Sequence, residues 1–455
     1  MKKIAVIGSG ISGISASYYL KKLNYDVSIY ESNKYFGGHT NTHEIEIGGV
    51  KSPVDTGFLV HNDRTYPNLI DFFSELNIKT FPSEMSFSVT RKSDGITWAG
   101  SNLLTIFAQY KNLFNLRFHK FLREVLRFNK LSLVYLSECE GNLELTLEDL
   151  LLGKKYSEDF KKWYLLPMGG CIWSCPKNEL LKFPAFTFLK FCLNHGLLQI
   201  FNRPKWKTVL NGCNTYVEKV LKGIEKKYLN EPVLEIKPHD GKLKVKTNQR
   251  SENYDYCIIC THPPEALKML EICEPQTKEL LYKFKFQENK AVLHLDESVL
   301  PDKKIAWSAW NYTSTKSDDE KEKVSVSYLI NKLQPLPYKE SVIVTLNPVT
   351  KIDNDKIIKT ISYQHPLFST ESIKAQEKMK NIQGSNGIYF SGAWMRYGFH
   401  EDGILSTKKA IKKLLSDDSL NTNLINILSN LCLKQQFIIR DSIQKQTSLA
   451  IRAFI

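Results

Sequence analysis

The run Lys3-Ile-Ala-Val-Ile-Gly8-Ser-Gly10-Ile-Ser-Gly13 narrows the possible folds of this chain more than any other stretch. A short apolar strand leads straight into spaced glycines, then into a helical pattern through Ile14, Ala16, Tyr19 and Leu20. A second apolar strand from Asp26 ends on Glu31, which completes a βαβ unit with an acid at its tip. Gly8 permits the tight turn, Gly10 lets backbone N–H groups approach a diphosphate, and Gly13 lets the helix pack close to the sheet. Ile11 and Ser12 open the helix, whose N-terminus carries partial positive charge, and Glu31 with Ser32 beside it is placed to take ribose hydroxyls. A close-packed turn without a ligand would leave Glu31 without a role. The stretch predicts a dinucleotide site.

Gly37-Gly38-His39-Thr40 follows within one turn's length of chain and offers a second place where backbone can lie against a diphosphate. That extra cradle suits a flavin dinucleotide better than a nicotinamide one. The pattern resembles the Glu-x5-Gly-Gly-x-Thr signature of the flavin-containing amine oxidase superfamily, with His39 where those enzymes carry Arg. The fixed guanidinium charge is then missing unless His39 is protonated beside the phosphates. The resemblance implies FAD, and no cysteine or histidine lies in a recognisable attachment motif, so the cofactor is expected to be non-covalent.

The 455 residues can bury more than one core, which predicts two domains. A formal charge of +14 favours an anionic partner. No recognisable nucleic-acid module accompanies that charge, which leaves an acidic substrate or an anionic membrane face. Nine cysteines in a chain this long read as buried, reduced thiols of a cytoplasmic protein. The strand at the N-terminus leaves no room for a signal peptide, and no run reaches the ~18 apolar residues of a membrane span. The expected location is cytoplasmic, with a peripheral place on the inner face of the membrane open to it.

The expected architecture is α/β plus α+β: a two-dinucleotide-binding, Rossmann-type FAD domain with an inserted mixed sheet and helix substrate domain. FAD segments are read at 1–78, 205–265 and 377–415, substrate segments at 79–204 and 266–376, and a helical tail at 416–455. Within the first substrate segment, Tyr110 to Lys130 predicts an amphipathic helix with Phe114, Phe118, Phe121, Val125 and Phe128 on one face. Arg117, Lys120, Arg123, Arg127 and Lys130 fall on the other, so the helix either caps the core or lies in anionic headgroups. Cys171 and Cys175 lack further ligands nearby and read as close packing rather than a metal site. Cys257 and Cys260 lie within a strand, which favours core packing over redox chemistry. No metal site is expected. Phe183, Phe186, Phe188 and Phe191, with Trp307, Trp310 and Tyr312, are candidates for the wall of an apolar channel.

Two later segments extend the resemblance. Gly387-Ile-Tyr-Phe-Ser-Gly392-Ala393-Trp, then Gly398-Phe-His-Glu-Asp-Gly403 and a helix from Ile404, match the superfamily's closing flavin motif. Asp55-Thr56-Gly57-Phe58 is similar to the segment that passes over the isoalloxazine, and Val233 corresponds to a residue that meets adenine through its backbone. Together with Asn62 to Asn68, Ile172 to Pro176, Asn194 to Leu198 and Arg203-Pro-x-Trp206, these runs resemble a bacterial branch of amine-oxidase-like flavoproteins. Members of that branch are commonly encoded beside cyclopropane-fatty-acid-synthase-like methyltransferases, and some resemble furan fatty acid desaturases. The resemblance implies dehydrogenation of a methylated, mono-unsaturated acyl chain of a membrane phospholipid, with a methyltransferase as a partner. It also implies a lysine near the flavin, for which Lys290 is the best topological match. His400 and Glu401 are candidates for the acid–base group or for structural contact to the flavin. An amine oxidase, a carotenoid-type desaturase or isomerase, and a flavin-bound assembly protein without turnover remain as alternatives.

Overall fold

The predicted βαβ unit forms the centre of a five-stranded parallel sheet. Its spatial order is Lys226–Leu229, Asp26–Glu31, Lys3–Ile7, Tyr256–Ile259 and Ile388–Phe390. Such a sheet is covered on both faces, and Ile4 to Ile7 are accordingly buried throughout. The computed structural model describes residues 1–173, 177–199, 203–270, 273–316 and 322–418. Cys175, residues 317–321 and the tail from 419 onwards lie outside the described residues.

One face of this sheet is covered by the helix Ile11–Lys22, which packs against the last helix, His400–Asp417. Gly403 makes that approach possible, since a Cβ there would stand 2.6 Å from Ile11 Cγ2. The last helix begins one turn earlier than the expected Ile404. Asp402 accepts the Phe399 N–H at 3.0 Å and so caps an extra turn. A three-stranded antiparallel sheet, Glu235–His239, Lys242–Lys246 and Ser251–Tyr254, turns at Asp240-Gly241, both at positive φ.

A second large sheet has seven strands. Its order is Ile357–Leu367, Lys285–His294, Ile343–Leu346, Glu322–Leu329, Trp310–Lys316, Phe87–Arg91 and Ile96–Ala99. Its strands therefore come from both substrate segments read in the sequence. Helices Leu116–Glu138, Leu166–Trp173 and Ala185–Asn194 share its largest core with Phe118, Phe121, Phe128, Trp163 and Phe188.

The amphipathic helix differs from its expectation in two respects. Tyr110–Phe114 is a separate 3₁₀ turn, and the α-helix runs from Leu116 to Glu138 with Asn115 as its cap, accepting from Arg117 N and Phe118 N. Much of its basic face is also committed to protein contacts. Arg117 pairs with Asp159 and stacks on Trp163, while Arg127 lies 4.0 Å over the Tyr156 ring and donates to Lys154 O at 3.2 Å. Among the described residues, no helix is long and apolar enough to cross a membrane.

Candidate functional site

A cavity of about 1850 Å³, well above the ~300–1,000 Å³ of an ordinary small-molecule pocket, is lined by residues from both large sheets. One arm follows the βαβ unit. Gly8, Gly10, Ile11, Ser12, Glu31, Ser32, Gly38 and His39 line it, as do Thr56, Gly57, Phe58, Val233, Gly392, Ala393 and His400. Except for His400, a candidate acid–base group, these are residues the sequence assigned to the cofactor, and the fold brings them together from five separate stretches.

The glycines divide by task. Gly10 holds extended backbone at φ −62°, and a Cβ there would meet no heavy atom within 4 Å, so its open side is the cradle. Gly13 does not reach the cavity; a Cβ there would stand 1.8 Å from Gly8 O, so it serves the helix–strand approach. Gly57 is likewise tied to backbone, because a Cβ would fall 2.2 Å from His39 O. Glu31 is buried at the strand tip and accepts the Ser9 N–H at 3.0 Å and the Asn33 N–H at 2.8 Å.

His39 is the point where this chain departs from an arginine. Its ring stacks on Tyr363 at 4.9 Å, with His365 at 5.2 Å and His262 at 6.4 Å. Burial, reinforced by those histidines and His400, pushes its pKa well below the usual imidazole value, so among these groups the ring is neutral. Its Nε2 is buried with no hydrogen-bond partner among the described residues, a polar atom that a diphosphate oxygen would satisfy. The cradle, the orphaned nitrogen and the helix N-terminus fit the dinucleotide. The sequence reading missed Tyr363, His262 and His365, which lie far along the chain and belong to no local motif.

The closing segment divides as well. His400 faces the cavity, stacks on Phe58 at 3.7 Å and shares a hydrogen-bonded group with Thr40 (3.0 Å) and Tyr216 (3.3 Å). Burial pushes its pKa down to about 3, so it is a neutral ring. Thr40 is therefore a buried support for His400 rather than a cavity residue. Glu401 points elsewhere. Its carboxylate accepts from Asn68 N at 3.2 Å, Asn68 Nδ2 at 2.7 Å and Leu69 N at 3.0 Å, capping the helix Pro67–Glu75. Burial pushes its pKa up to about 7. Gly403 and Ile404 are packed against the first helix and in the core. Lys290 is exposed on its strand and absent from the cavity wall, with buried Asn289 and Ala291 on either side.

The second arm is apolar. Phe87, Trp98, Phe121, Leu122, Val125, Met168, Ile172 and Trp173 line it, with Tyr328 and Leu346 from the sheet. Of the aromatic residues expected to form a channel, Phe191 and Trp310 do line the cavity. Phe183 and Phe188 instead pack around Trp173 in the core, and Trp307 donates to Pro301 O at 2.7 Å. Cys171 and Cys260 reach the wall, but burial raises their thiol pKa and keeps them neutral. Among the described residues no group of side chains could hold a metal ion.

The family profile for flavin containing amine oxidoreductases matches residues 11–410. The chain belongs to that family. FAD is its cofactor, and the residues of the first arm are those that would hold it. Relatives of this amine oxidoreductase include the 1-hydroxycarotenoid 3,4-desaturase of Flavobacterium sp. (strain P99-3), 40% identical over 93 residues, 20% of this chain. The carotenoid phi-ring synthase of Chlorobaculum tepidum is 30% identical over 121 residues, 25% of this chain. The matched stretches span only 17% and 18% of those two proteins' lengths. Among solved structures, the chain is similar to a CLA-producing fatty acid isomerase from P. acnes. The TM-score is 0.64 and the identity 16%, over 90% of this chain and 98% of that one. A putrescine oxidase variant gives a TM-score of 0.66 at 12% identity, over 91% of this chain and 99% of the other. At these identities the likeness is one of fold.

Proposed function

We propose that this oxidoreductase is a desaturase that removes two hydrogens from a long apolar chain, a methylated mono-unsaturated acyl group. The observation that carries the reading is the chemistry of the second arm. It is walled by aromatic and aliphatic side chains, and each carboxylate on the described cavity wall already has a partner. Glu31 takes Ser9, Glu84 takes Lys332 at 3.0 Å, Glu231 takes Arg250 at 2.7 Å, and Glu265 takes the His262 N–H at 3.3 Å. None of the side chains named for the second arm is an anion, so an amine arriving there as an ammonium ion would find no charge to offset its desolvation. A hydrocarbon chain gains roughly 0.8 kcal/mol per buried methylene from the same wall.

Bound in the first arm, FAD supplies the acceptor for the two electrons. The imidazoles and phenols that line the cavity stay neutral. Burial holds His39, His365 and His400 neutral and raises the phenol pKa values of Tyr66, Tyr328 and Tyr363, which therefore stay hydroxyl donors. Trp310 lines the arm, and its buried Nε1 has no acceptor among the described residues, which makes it a donor available to an acyl carbonyl. The methyl branch rests on the resemblance to furan fatty acid desaturases, and a substrate of that kind requires a methylating enzyme upstream. A second reading, a carotenoid-type desaturase, is favoured by the local 40% identity and would use the same arm for a polyene.

Anaerobic mixing of the purified protein with candidate substrates separates these readings. Methylated monoenoic acyl lipid should bleach the flavin and yield a product short of two hydrogens by mass spectrometry. Benzylamine and polyamines should leave it yellow. Bleaching by a simple amine with none by the acyl lipid overturns the proposal, and bleaching by a carotenoid alone moves it to the second reading.

A further inference from the structure

The segment ahead of the long helix carries an unusual density of exposed apolar side chains. Leu103 is 74% exposed, Leu104 73%, Tyr110 81%, Phe114 88% and Leu116 84%. Ile305, 52% exposed, joins them from the turn Lys304–Ala306, which packs against the helix Leu103–Ile106 through Ala99, Ala108 and Ala306. Exposed Leu and Phe side chains scattered singly are ordinary on a protein surface, but a run of them is not. Along this run of sequence the charge has one sign. Between Ser101 and Arg123 there is no acid, while Lys111, Lys120 and Arg123 are exposed.

The cavity opens within the same patch. Ser101, Asn102, Leu103 and Leu126 line the cavity and are also exposed, and Ile106, Phe107 and Leu122 continue its wall inwards. An apolar path thus runs from the outer surface into the apolar arm.

We infer that the segment Leu103–Leu116 is a bilayer-docking surface, inserted among the headgroups of an anionic membrane so that a lipid acyl chain enters the cavity without crossing water. The inference rests on the long-chain reading of the cavity. The anionic headgroup follows from charge complementarity: the stretch 101–123, which carries most of the apolar tips, holds exposed Lys111, Lys120 and Arg123 and no acid, on a chain of net charge +14. It also moves the contact away from the basic helix face expected from the sequence, since Arg117 and Arg127 are committed to Asp159, Trp163 and Tyr156.

The test is co-sedimentation of the full-length holoenzyme with phosphatidylcholine vesicles, with and without a phosphatidylglycerol fraction. Two variants probe the patch without touching the cavity wall: Leu104→Ser/Tyr110→Ser/Phe114→Ser, and Lys111→Glu/Lys120→Glu/Arg123→Glu. Wild type should bind the anionic vesicles. The apolar variant should lose at least about tenfold in binding, since each inserted side chain contributes several buried carbons. The charge variant should lose the preference for phosphatidylglycerol. Both should keep wild-type flavin content and melting temperature, and both should still be bleached by detergent-dispersed acyl substrate. That last measurement separates the two ideas, because a wild type that fails to bind anionic vesicles yet is bleached by dispersed substrate overturns the docking surface alone. Unchanged binding by the apolar variant overturns it. So does a wild type that ignores vesicles and self-associates through the patch, or one that binds them only after residues 419–455 are removed.

Discussion

Gly10 and Gly13 should separate cofactor binding from folding, although both belong to one fingerprint. At Gly10 the backbone is extended, and a Cβ would meet nothing within 4 Å. Replacing it by Ala restricts the unfolded chain, a gain of about 0.4–1 kcal/mol. Losing glycine at the helix N-cap costs up to about 1 kcal/mol, so the two effects nearly cancel in the flavin-free protein. The same methyl group stands in the cradle at the helix N-terminus. Pushing a diphosphate off two backbone N–H groups, at about 1.5–3 kcal/mol for each charge-assisted bond, costs about 3–6 kcal/mol. That is roughly 10²- to 10⁴-fold in affinity. At Gly13 the balance is reversed: the Cβ would stand 1.8 Å from Gly8 O, a backbone atom that cannot move aside. Gly13→Ala should therefore fall in the severe class of more than about 4 kcal/mol. Flavin is measured in the supernatant after acid precipitation, which releases a non-covalent cofactor, and stability is measured by thermal melting of stripped protein. Gly10→Ala should come out largely colourless and melt like stripped wild type, whereas Gly13→Ala should melt far lower with or without flavin. A Gly10→Ala protein with wild-type flavin affinity would refute the cradle. So would one that melts as low as Gly13→Ala.

Two further outcomes follow from buried ionisable groups. His195 and His365 have pKa values pushed down to about 4 by burial, so the unfolded chain binds more protons than the folded one between about pH 6.5 and 4. Their contribution is present above that window and lost as pH falls through it, roughly 3 kcal/mol each, so His195→Gln should flatten the acid limb of a plot of melting temperature against pH. Glu401→Ala should cost about 1–3 kcal/mol by leaving the Asn68 and Leu69 N–H groups without an acceptor, while flavin content holds and Glu401→Gln recovers most of the loss. Loss of flavin with unchanged melting would return Glu401 to the cofactor site.

The cofactor arm was legible because its rules are local. The turn at Gly8, the cradle at Gly10 and the close approach at Gly13 each follow from a few consecutive backbone atoms, and the acid at Glu31 ends the very strand that begins at Asp26. Lys290 shows where that reasoning stops. The strand was recognisable from its apolar run, but which of Asn289, Lys290 and Ala291 faces inward depends on pairing with Ile343–Leu346 and Ile357–Leu367, both far along the chain. Glu401 and His400 are adjacent in sequence and at the start of one helix, yet they point to different partners. Only the helix Pro67–Glu75, packed alongside, decides that Glu401 is a cap.

The long helix makes the same distinction within a single element. Its apolar spacing marked Phe118, Phe121 and Phe128 as core, and they are buried, whereas Phe114, read on the same face, lies in the preceding 3₁₀ turn and is exposed. The opposite face carried five cations, and periodicity assigns them all to solvent. Arg117 and Arg127 instead found Asp159, Trp163 and Tyr156 on the following helices, since a guanidinium over an aromatic ring needs only a neighbour at the right height. Leu122 and Leu126, on the border between the faces, became cavity wall, and Val125 joined them from the apolar face. A substrate site assembled from such border positions and from two sheet strands has no contiguous signature, whereas a diphosphate site assembled from one turn does. This is why the sequence specified the cofactor by motif and left the substrate to the shape and polarity of the second arm.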